Sequence, residues 1–228
     1  MTSSLFDSER LLFTPATPNN DSIPVIFAFP NEYTVGITSL GYQVVWATLA
    51  TRDDLQVSRL FTDIHEPLPR YPELLGFSMS WELDYVNIFH LLESLEIPIR
   101  ANSRDQNHPL IFGGGPVLTA NPEPYADFFD IILLGDGENL LGDFIDTFKK
   151  VRNADRKTQL KTLSQVPGIY VPSLYVIEYI TPDGAIKSIN PIDSQIPPII
   201  QKQTYRGNTL SASTVVTEKA AWDNIYMV

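Results

Sequence analysis

Two apolar runs that each stop at glycines constrain the fold of this chain more than any other feature. Residues 109–112 (P-L-I-F) lead into three glycines, and residues 131–134 (I-I-L-L) lead into the turn G-D-G-E. In α/β proteins, a buried strand that ends in glycine commonly presents backbone N–H groups to a ligand. Glycine suits this task because it has no Cβ, so the backbone can take a positive φ and be approached closely. Two such turns in consecutive units predict a ligand crevice at one edge of a sheet.

The spacing of apolar residues predicts alternating strands and helices. Short, nearly continuous apolar runs are typical of strands that are covered on both faces. These runs are residues 22–30, 55–61, 74–80, 109–112 and 131–134. Between them, helical spacing predicts a helix capped by Ser39 and further helices over residues 81–95 and 139–151. Connections of this length favour parallel strand pairing. The sequence therefore predicts an α/β fold with a doubly wound, mostly parallel sheet of the flavodoxin or Rossmann kind.

Candidate binding residues follow these strands, because ligands of parallel sheets bind beyond the carboxyl ends of the strands. They are Asn31, Glu32, Tyr33, Gly36, Ser78, Ser80, Gly113, Gly114, Gly115, Pro116, Gly135, Asp136, Gly137 and Glu138. We expect the backbone amides of the two glycine turns to make most of the polar contacts. In the alternative interpretation, the glycines serve only tight turns. Glu138 would then only cap a helix N-terminus, where a carboxylate is favourable in any protein.

After the last of these helices the pattern changes. Residues 154–165 predict a polar helix, and the alternation in residues 175–180 and 185–189 around a T-P-D-G turn predicts a β-hairpin. Residues 192–200 are proline-rich and extended, and residues 224–228 begin a further strand. We therefore divide the chain into an N-terminal arm (1–22), an α/β domain (23–152) and a helix-plus-hairpin extension (153–228). The abrupt end predicts that the natural polypeptide continues beyond it.

Charge and composition argue against several classes of protein. The net charge is −11 and the sixteen Lys and Arg residues are scattered, whereas nucleic-acid binding needs clustered basic side chains. Without cysteine, the chain can form no disulfide, no thiolate-held iron–sulfur cluster and no cysteine nucleophile. No apolar run reaches the roughly 20 residues of a membrane span, and the N-terminus lacks a charged-then-apolar leader. We predict a cytoplasmic location.

Common nucleotide and hydrolase motifs are absent. The turn after the first strand holds only Gly36 and Gly41, which does not match the G-x-G-x-x-G dinucleotide fingerprint. The chain also lacks the P-loop motif and the G-x-S-x-G nucleophile elbow. Of the three histidines, His65 follows Asp63, a carboxylate that could orient a metal ligand. The others, His90 and His108, stand far away in the sequence, and we predict no metal site.

Several motifs occur in an order that resembles a known family. They are F-P-N-E-Y-T-V-G-I-T-S-L-G (29–41), L-G-F-S-M-S-W-E-L-D-Y-V-N (75–87), I-P-I-R (97–100), G-G-P-V-L-T-A-N-P-E-P-Y-A-D-F-F-D (114–130) and L-G-D-G-E (134–138). Together they resemble the N-terminal region of radical S-adenosylmethionine (SAM) proteins with a B12-binding domain, in the uncharacterised branch often described as Fe–S oxidoreductases. The resemblance is close over residues 23–150 and loose elsewhere.

The resemblance implies a cobalamin-binding-like domain that precedes a radical SAM barrel. In such proteins a C-x-x-x-C-x-x-C motif follows, so the [4Fe–4S] cluster and SAM are expected in a part that this cysteine-free chain does not contain. Its partner would be its own radical SAM domain, and the chain would carry no catalytic residue. Cobalamin domains that replace the lower axial ligand use D-x-H-x-x-G, but the corresponding loop here, N-E-Y-T-V-G at 31–36, has no histidine.

Three functional hypotheses follow. The first is an accessory domain that binds cobalamin without histidine ligation. The second is a scaffold or docking domain of the same enzyme that has kept the fold and lost the cofactor, which side chains such as Tyr33, Trp81 or Tyr125 would favour by filling the crevice. The third is a stand-alone enzyme that uses Glu32, Asp136 or Glu138 for acid–base chemistry, although no orienting partner for them is evident in the sequence.

Overall fold

The structure is a computed structural model, and it describes residues 5–182, 184–207 and 212–221. The chain divides into two compact units. Unit 1 comprises Met1–Glu96 together with Arg206–Val228, and unit 2 comprises Ile97–Tyr205. Unit 1 therefore draws on both ends of the chain, while unit 2 is one continuous segment. The strand expected at residues 224–228 lies outside the described residues.

The elements alternate along the chain much as the apolar spacing predicts. The strands are β1 (Arg10–Leu11), β2 (Ile23–Ala28), β3 (Leu55–Leu60), β4 (Leu74–Ser78), β5 (Leu110–Gly114), β6 (Ile131–Leu133), β7 (Ile169–Tyr170), β8 (Tyr175–Tyr179), β9 (Ile186–Pro191) and β10 (Val215–Val216). The α-helices are α1 (Tyr33–Gly36), α2 (Leu40–Ala50), α3 (Tyr85–Ser94), α4 (Pro116–Ala120), α5 (Gly137–Val151) and α6 (Arg156–Leu163). Short 3-10 turns, among them Leu5–Ser8, Glu82–Asp84 and Glu123–Phe128, connect them.

In unit 1, strand β2 lies between β3 and β4 and is parallel to both. Ile23 stands opposite Leu55, and Val25 stands opposite Leu74. Almost every side chain of β2 is buried, as expected for a strand covered on both faces. Helix α2 begins at the predicted cap, where the Ser39 side chain accepts a hydrogen bond from the Tyr42 amide. Strands β1 and β10 form a separate antiparallel pair in this unit.

In unit 2, strands β5 and β6 are parallel, and β7 adds to β6 in the antiparallel sense. Helix α5 is amphipathic and buries Leu141, Phe144, Ile145 and Phe148, the residues whose spacing predicted its inner face. Strands β8 and β9 form the predicted hairpin. Mostly parallel strands, flanking helices and additional antiparallel strands confirm the predicted α/β class.

Two local predictions need correction. The segment after β2, predicted as a loop over residues 31–36, contains the short helix α1 because Tyr33 and Gly36 turn inward to pack in the core. The predicted helix over residues 81–95 begins as the 3-10 turn Glu82–Asp84 and becomes α-helical only at Tyr85, which is exposed rather than inward-facing. In the part of the chain that the structure describes, no helix has the length and apolar character needed to cross a membrane.

Candidate functional site at the strand ends

The strand ends of unit 1 carry the first group of candidate residues. Asn31 follows β2 and donates from Nδ2 to Oδ1 of Asp84 over 2.9 Å, while its own Oδ1 accepts from the Glu32 amide. Asn87 donates to the Pro30 carbonyl over 2.9 Å. These bonds tie the end of β2 to the start of α3. Asn31 is therefore half-buried and structurally engaged, whereas the Glu32 side chain is exposed.

Asp84 is a residue of this region that the sequence interpretation did not single out. Its side chain is buried, and Oδ2 has no hydrogen-bond partner among the residues that the structure describes. Burial raises the pKa of the Asp84 carboxyl, and the hydrogen bond from Asn31 opposes that effect only in part. A buried carboxylate with one unpaired oxygen is costly. The signal that could have found Asp84 is an acidic residue at the start of the helix that follows an apolar strand.

Tyr33 and Gly36 serve the core of unit 1. The Tyr33 hydroxyl donates to Oε1 of Glu9 over 2.7 Å, and burial raises the pKa of that hydroxyl. A Cβ at Gly36 would lie 2.6 Å from the Phe61 ring, so a close approach of aromatic side chains explains this glycine.

Ser78 and Ser80 lie at the end of β4 and are half-buried on either side of the buried Met79. Beyond them the surface becomes apolar, because Trp81 is 59% exposed and Leu83 is 85% exposed. Trp81 therefore does not fill a crevice in this unit.

The glycine turns of unit 2 lie next to each other, as their positions after parallel strands predict. Thr119 of α4, the helix that follows the first turn, accepts a hydrogen bond through Oγ1 from the Gly135 amide over 3.1 Å. In the first turn, a Cβ at Gly113 would meet the Phe129 ring at 2.5 Å, whereas a Cβ at Gly114 would have nothing closer than 3.8 Å. Gly115 has a φ of 112° and precedes Pro116 at the start of α4.

The second turn is occupied by the chain itself. Residues 203–205 run alongside it: the Asp136 amide donates to the Gln203 carbonyl over 3.0 Å, and the Asp136 carboxylate accepts from the Tyr205 amide over 2.9 Å. Gly135 has a φ of 113°, and a Cβ there would lie 2.0 Å from the Gln203 carbonyl oxygen. The close approach of the Gln203 backbone therefore requires glycine at position 135. The sequence interpretation did not identify Gln203. Gly137 and Glu138 open helix α5 beside this contact.

A depression of about 300 Å³, counted with its open mouth, lies beside the second turn. It is lined by Asp136, Asn139, Leu140, Asp143, Pro167, Gln203, Thr204 and Tyr205. Its charged groups are carboxylates, so it is poorly suited to an anionic ligand.

The histidines do not converge on these sites. His65 Nδ1 contacts the Glu66 carbonyl, while His90 and His108 stand near Glu93 and Asp105 on their own segments. Within the described residues, no group of three or more His, Asp or Glu side chains could hold a metal ion.

The residues of the second turn do not fit the cradle that cobalamin would need there. A cradle requires amides that point outwards and glycines that leave space, but Gly135 and Asp136 direct their amides to Thr119 and Gln203. Among Gly36, Gly113, Gly114 and Gly135, Gly114 leaves the most room for a Cβ. The two turns are thus adjacent in space, but the first leaves more room for a ligand than the second.

Comparison with known proteins supports the class of domain. Residues 62–172, a little under half of the chain, match the family model described as radical SAM proteins, N-terminal. The matched residues include β4, β5, β6 and both glycine turns. The match supports an accessory domain of the radical SAM N-terminal kind, which is the coarser part of the resemblance seen in the motifs.

Individual relatives are more distant. The uncharacterized protein MJ0966 of Methanocaldococcus jannaschii is 28% identical over 115 residues, which cover 50% of this chain and 24% of that protein. Two structures of the cobalamin-dependent S-adenosylmethionine radical enzyme OxsB are similar to the chain at 17% identity. One has aqua-cobalamin and S-adenosylmethionine bound and the other has aqua-cobalamin bound, with TM-scores of 0.42 and 0.43 respectively. Each comparison covers 77% of this chain and 24% of the OxsB chain. The chain thus spans about a quarter of the length of these proteins.

Proposed function

We propose that this chain is an accessory N-terminal domain of a radical SAM enzyme and serves as a docking scaffold for the catalytic part. The observation that carries the proposal is the closed second glycine turn. At the edge of a sheet where a ligand would bind, the chain uses Gly135 and Asp136 to hold its own residues 203–205. A ligand at this turn would have to replace those hydrogen bonds as well as form its own, which lowers its net affinity.

The chemistry of the complete enzyme would lie outside this chain. A [4Fe–4S] cluster needs thiolate ligands, and the chain has no cysteine. The cluster and SAM would therefore be held by the radical SAM domain of the same polypeptide, which would be the partner of this scaffold. We propose a cytoplasmic location for the whole protein and no role for this chain in binding nucleic acid, in keeping with its net charge of −11.

Two measurements test the scaffold proposal. The complete gene product that contains this sequence is expected to carry a C-x-x-x-C-x-x-C motif and to bind iron after anaerobic reconstitution. Absence of that motif would overturn the class. In addition, hydroxocobalamin titrated into the 228-residue chain is expected to cause no spectral change at roughly 100 μM, where a ligand of ~10 μM affinity would be nearly saturating.

The second candidate function is cobalamin binding without histidine ligation, and the strand ends of unit 1 favour it. There Ser78 and Ser80 lead into the exposed Trp81 and Leu83, so a polar edge adjoins apolar surface. Binding sites for large cofactors combine these two features.

The same titration decides between the two candidates. A spectral change in the wild-type chain that weakens at least tenfold in Trp81→Ala would establish the second candidate. Tyr71→Ala is the matched control, because Tyr71 is also a highly exposed aromatic residue but lies before β4 rather than after it. Equal binding by both variants would show that the cofactor does not use the apolar surface after β4.

A further inference from the structure

The hairpin of β8 and β9 in unit 2 has one apolar face. Residues directly opposite each other on paired strands share a face of the sheet. Tyr175 is opposite Pro191, Ile177 is opposite Ile189, and Tyr179 is opposite Ile186. All six of these side chains are apolar or aromatic, and we call this surface the hairpin face.

The opposite surface of the hairpin carries polar side chains beside one exposed valine, Val176. There Glu178 stands opposite Ser188, and its carboxylate accepts from the Ser188 hydroxyl over 3.1 Å and pairs with Lys187 over 3.3 Å. Val176 shares this surface and is opposite Asn190. Polar pairs of this kind are typical of a solvent-facing side, so the two faces of the hairpin differ in character.

The hairpin face is anchored at one end and exposed at the other. At the base, the Tyr175 hydroxyl donates to the Pro197 carbonyl over 2.7 Å, and its ring lies 5.3 Å from that of Tyr170. Towards the turn, Tyr179 is 51% exposed and Ile189 is 37% exposed. Contiguous exposed apolar surface marks an interaction site. An isolated two-stranded hairpin is also only marginally stable in water, so a partner on this face would stabilise it.

We propose that the hairpin face docks against an apolar surface of the catalytic domain in the same polypeptide. The size of the face argues for this occupant. Six half-covered side chains offer on the order of a few hundred Å², whereas stable complexes of separate molecules bury about 800 Å² on each partner. A tethered partner needs less area, because covalent linkage gives it a high effective concentration.

The length of the relatives supports the same occupant. The 115 matched residues of this chain cover 24% of the Methanocaldococcus jannaschii relative, so that relative has further polypeptide outside the match that could cover such a face. The inference rests on the proposed docking function and adds the surface through which docking occurs.

The test compares hydrogen exchange of the hairpin amides in the complete gene product and in the 228-residue chain. We expect at least tenfold slower exchange at residues 176–179 and 186–190 in the complete product. Ile189→Lys, on the hairpin face, is expected to abolish the difference. Val176→Lys is the matched control: it adds the same charge to the same hairpin, but on the polar side, and is expected to preserve the protection.

Each other outcome overturns the inference. Equal exchange in the two proteins would show that nothing in the polypeptide covers the hairpin face. A concentration-dependent dimer of the 228-residue chain that Ile189→Lys abolishes would assign the face to a second copy. Loss of protection in both variants would indicate general disruption of the hairpin rather than docking. The docking proposal itself fails separately, through the absence of the cysteine motif and of iron.

Discussion

At the scale of single residues, the buried side chain of Arg59 in β3 contacts two carboxylates and an aromatic ring. Its guanidinium donates to both carboxylate oxygens of Glu9, over 2.8 and 2.7 Å, and to Glu66 over 2.8 Å, and it lies 3.9 Å from the Trp46 ring centroid. Burial alone would lower the pKa of Arg59, but the two carboxylates more than offset this and the pKa is raised. The buried charge is therefore satisfied, and it fixes the N-terminal arm to unit 1.

Removing one partner of this buried pair is expected to be costly. Glu9→Gln leaves the Arg59 charge buried with only Glu66 to compensate it, so we expect a loss of about 3 kcal/mol in the free energy of unfolding. Urea denaturation measures this. The control is Asp54→Asn, which breaks the more exposed Arg52–Asp54 pair and is expected to cost less than about 1 kcal/mol. Similar losses in the two variants would contradict the role given to Glu9.

Asp84 is expected to affect the pH dependence of stability. Its pKa is raised by burial in the folded state, so its contribution to stability is present below the unfolded pKa of about 3.9 and is lost as pH rises through the folded pKa. Relative to wild type, Asp84→Asn is therefore expected to gain stability between about pH 4 and neutral pH. Unfolding curves at several pH values measure this difference.

Asp155 provides a control, because its pKa is shifted in the opposite direction to that of Asp84. Its hydrogen bonds with the Thr158 side chain and backbone at the start of α6 lower the pKa of its carboxyl. Its contribution to stability is therefore present above the unfolded pKa and is lost as pH falls through the folded pKa. Asp155→Asn is expected to be destabilised relative to wild type at neutral pH and to recover in acid. If both variants shifted in the same direction, burial would not explain Asp84.

At the scale of elements, the glycines of unit 2 differ in what surrounds them. Gly135 permits the close approach of a backbone segment from far along the chain, whereas a Cβ at Gly142, within α5, would have nothing within 4 Å. We expect Gly135→Ala to destabilise unit 2 by more than about 2 kcal/mol, because it combines a positive φ with a clash against Gln203. Gly142→Ala is expected to stabilise by about 0.5–1 kcal/mol through helix propensity.

Thermal or urea unfolding of the two glycine variants measures these effects, and hydrogen exchange locates them. In Gly135→Ala, the faster exchange is expected to include the amides of residues 203 and 205, which bond to Leu134 and Asp136. A neutral effect at Gly135 would mean that residues 203–205 are easily displaced. That result would remove the observation that carries the scaffold proposal.

What the sequence reveals at this scale depends on how far apart along the chain the interacting residues lie. The parallel strands, the Ser39 cap, the inner face of α5 and the hairpin were predictable because each depends on neighbours within a few positions. The contact of Asp136 with Tyr205 joins residues 69 apart, and that of Arg59 with Glu9 joins residues 50 apart. Neither leaves a local pattern, so the glycine turn could be located but the segment that fills it could not. Gln43 is a similar case, a polar residue within an apolar helix whose partners lie near the other end of the chain.

At the scale of the whole molecule, the two ends of the chain contribute to one unit. Strand β1 pairs with β10, with Arg10 opposite Val216. The buried Gln43 side chain of α2 accepts from the amides of Thr214 and Val215 over 2.8 and 3.0 Å. Residues 214–216, which belong to the predicted extension, therefore make these contacts within unit 1. A segment near the C-terminus thus pairs with residues near the N-terminus.

A chain that ends at residue 205 is therefore expected to weaken unit 1 and leave unit 2 intact. Truncation removes the partner strand of β1. It also leaves the side-chain Oε1 of Gln43 buried without its two donors, which alone costs about 1–3 kcal/mol in the free energy of unfolding. In hydrogen exchange, we expect faster exchange in β1 to β3 and α2, with rates in β5, β6 and α5 unchanged. Gln43→Leu in the untruncated chain isolates one cause, because it removes the acceptor and keeps the segment. If faster exchange in this variant is confined to α2 and residues 212–216, the coupling between the two ends of the chain is due to Gln43. Faster exchange in α5, in either protein, would contradict the assignment of residues 206–228 to unit 1.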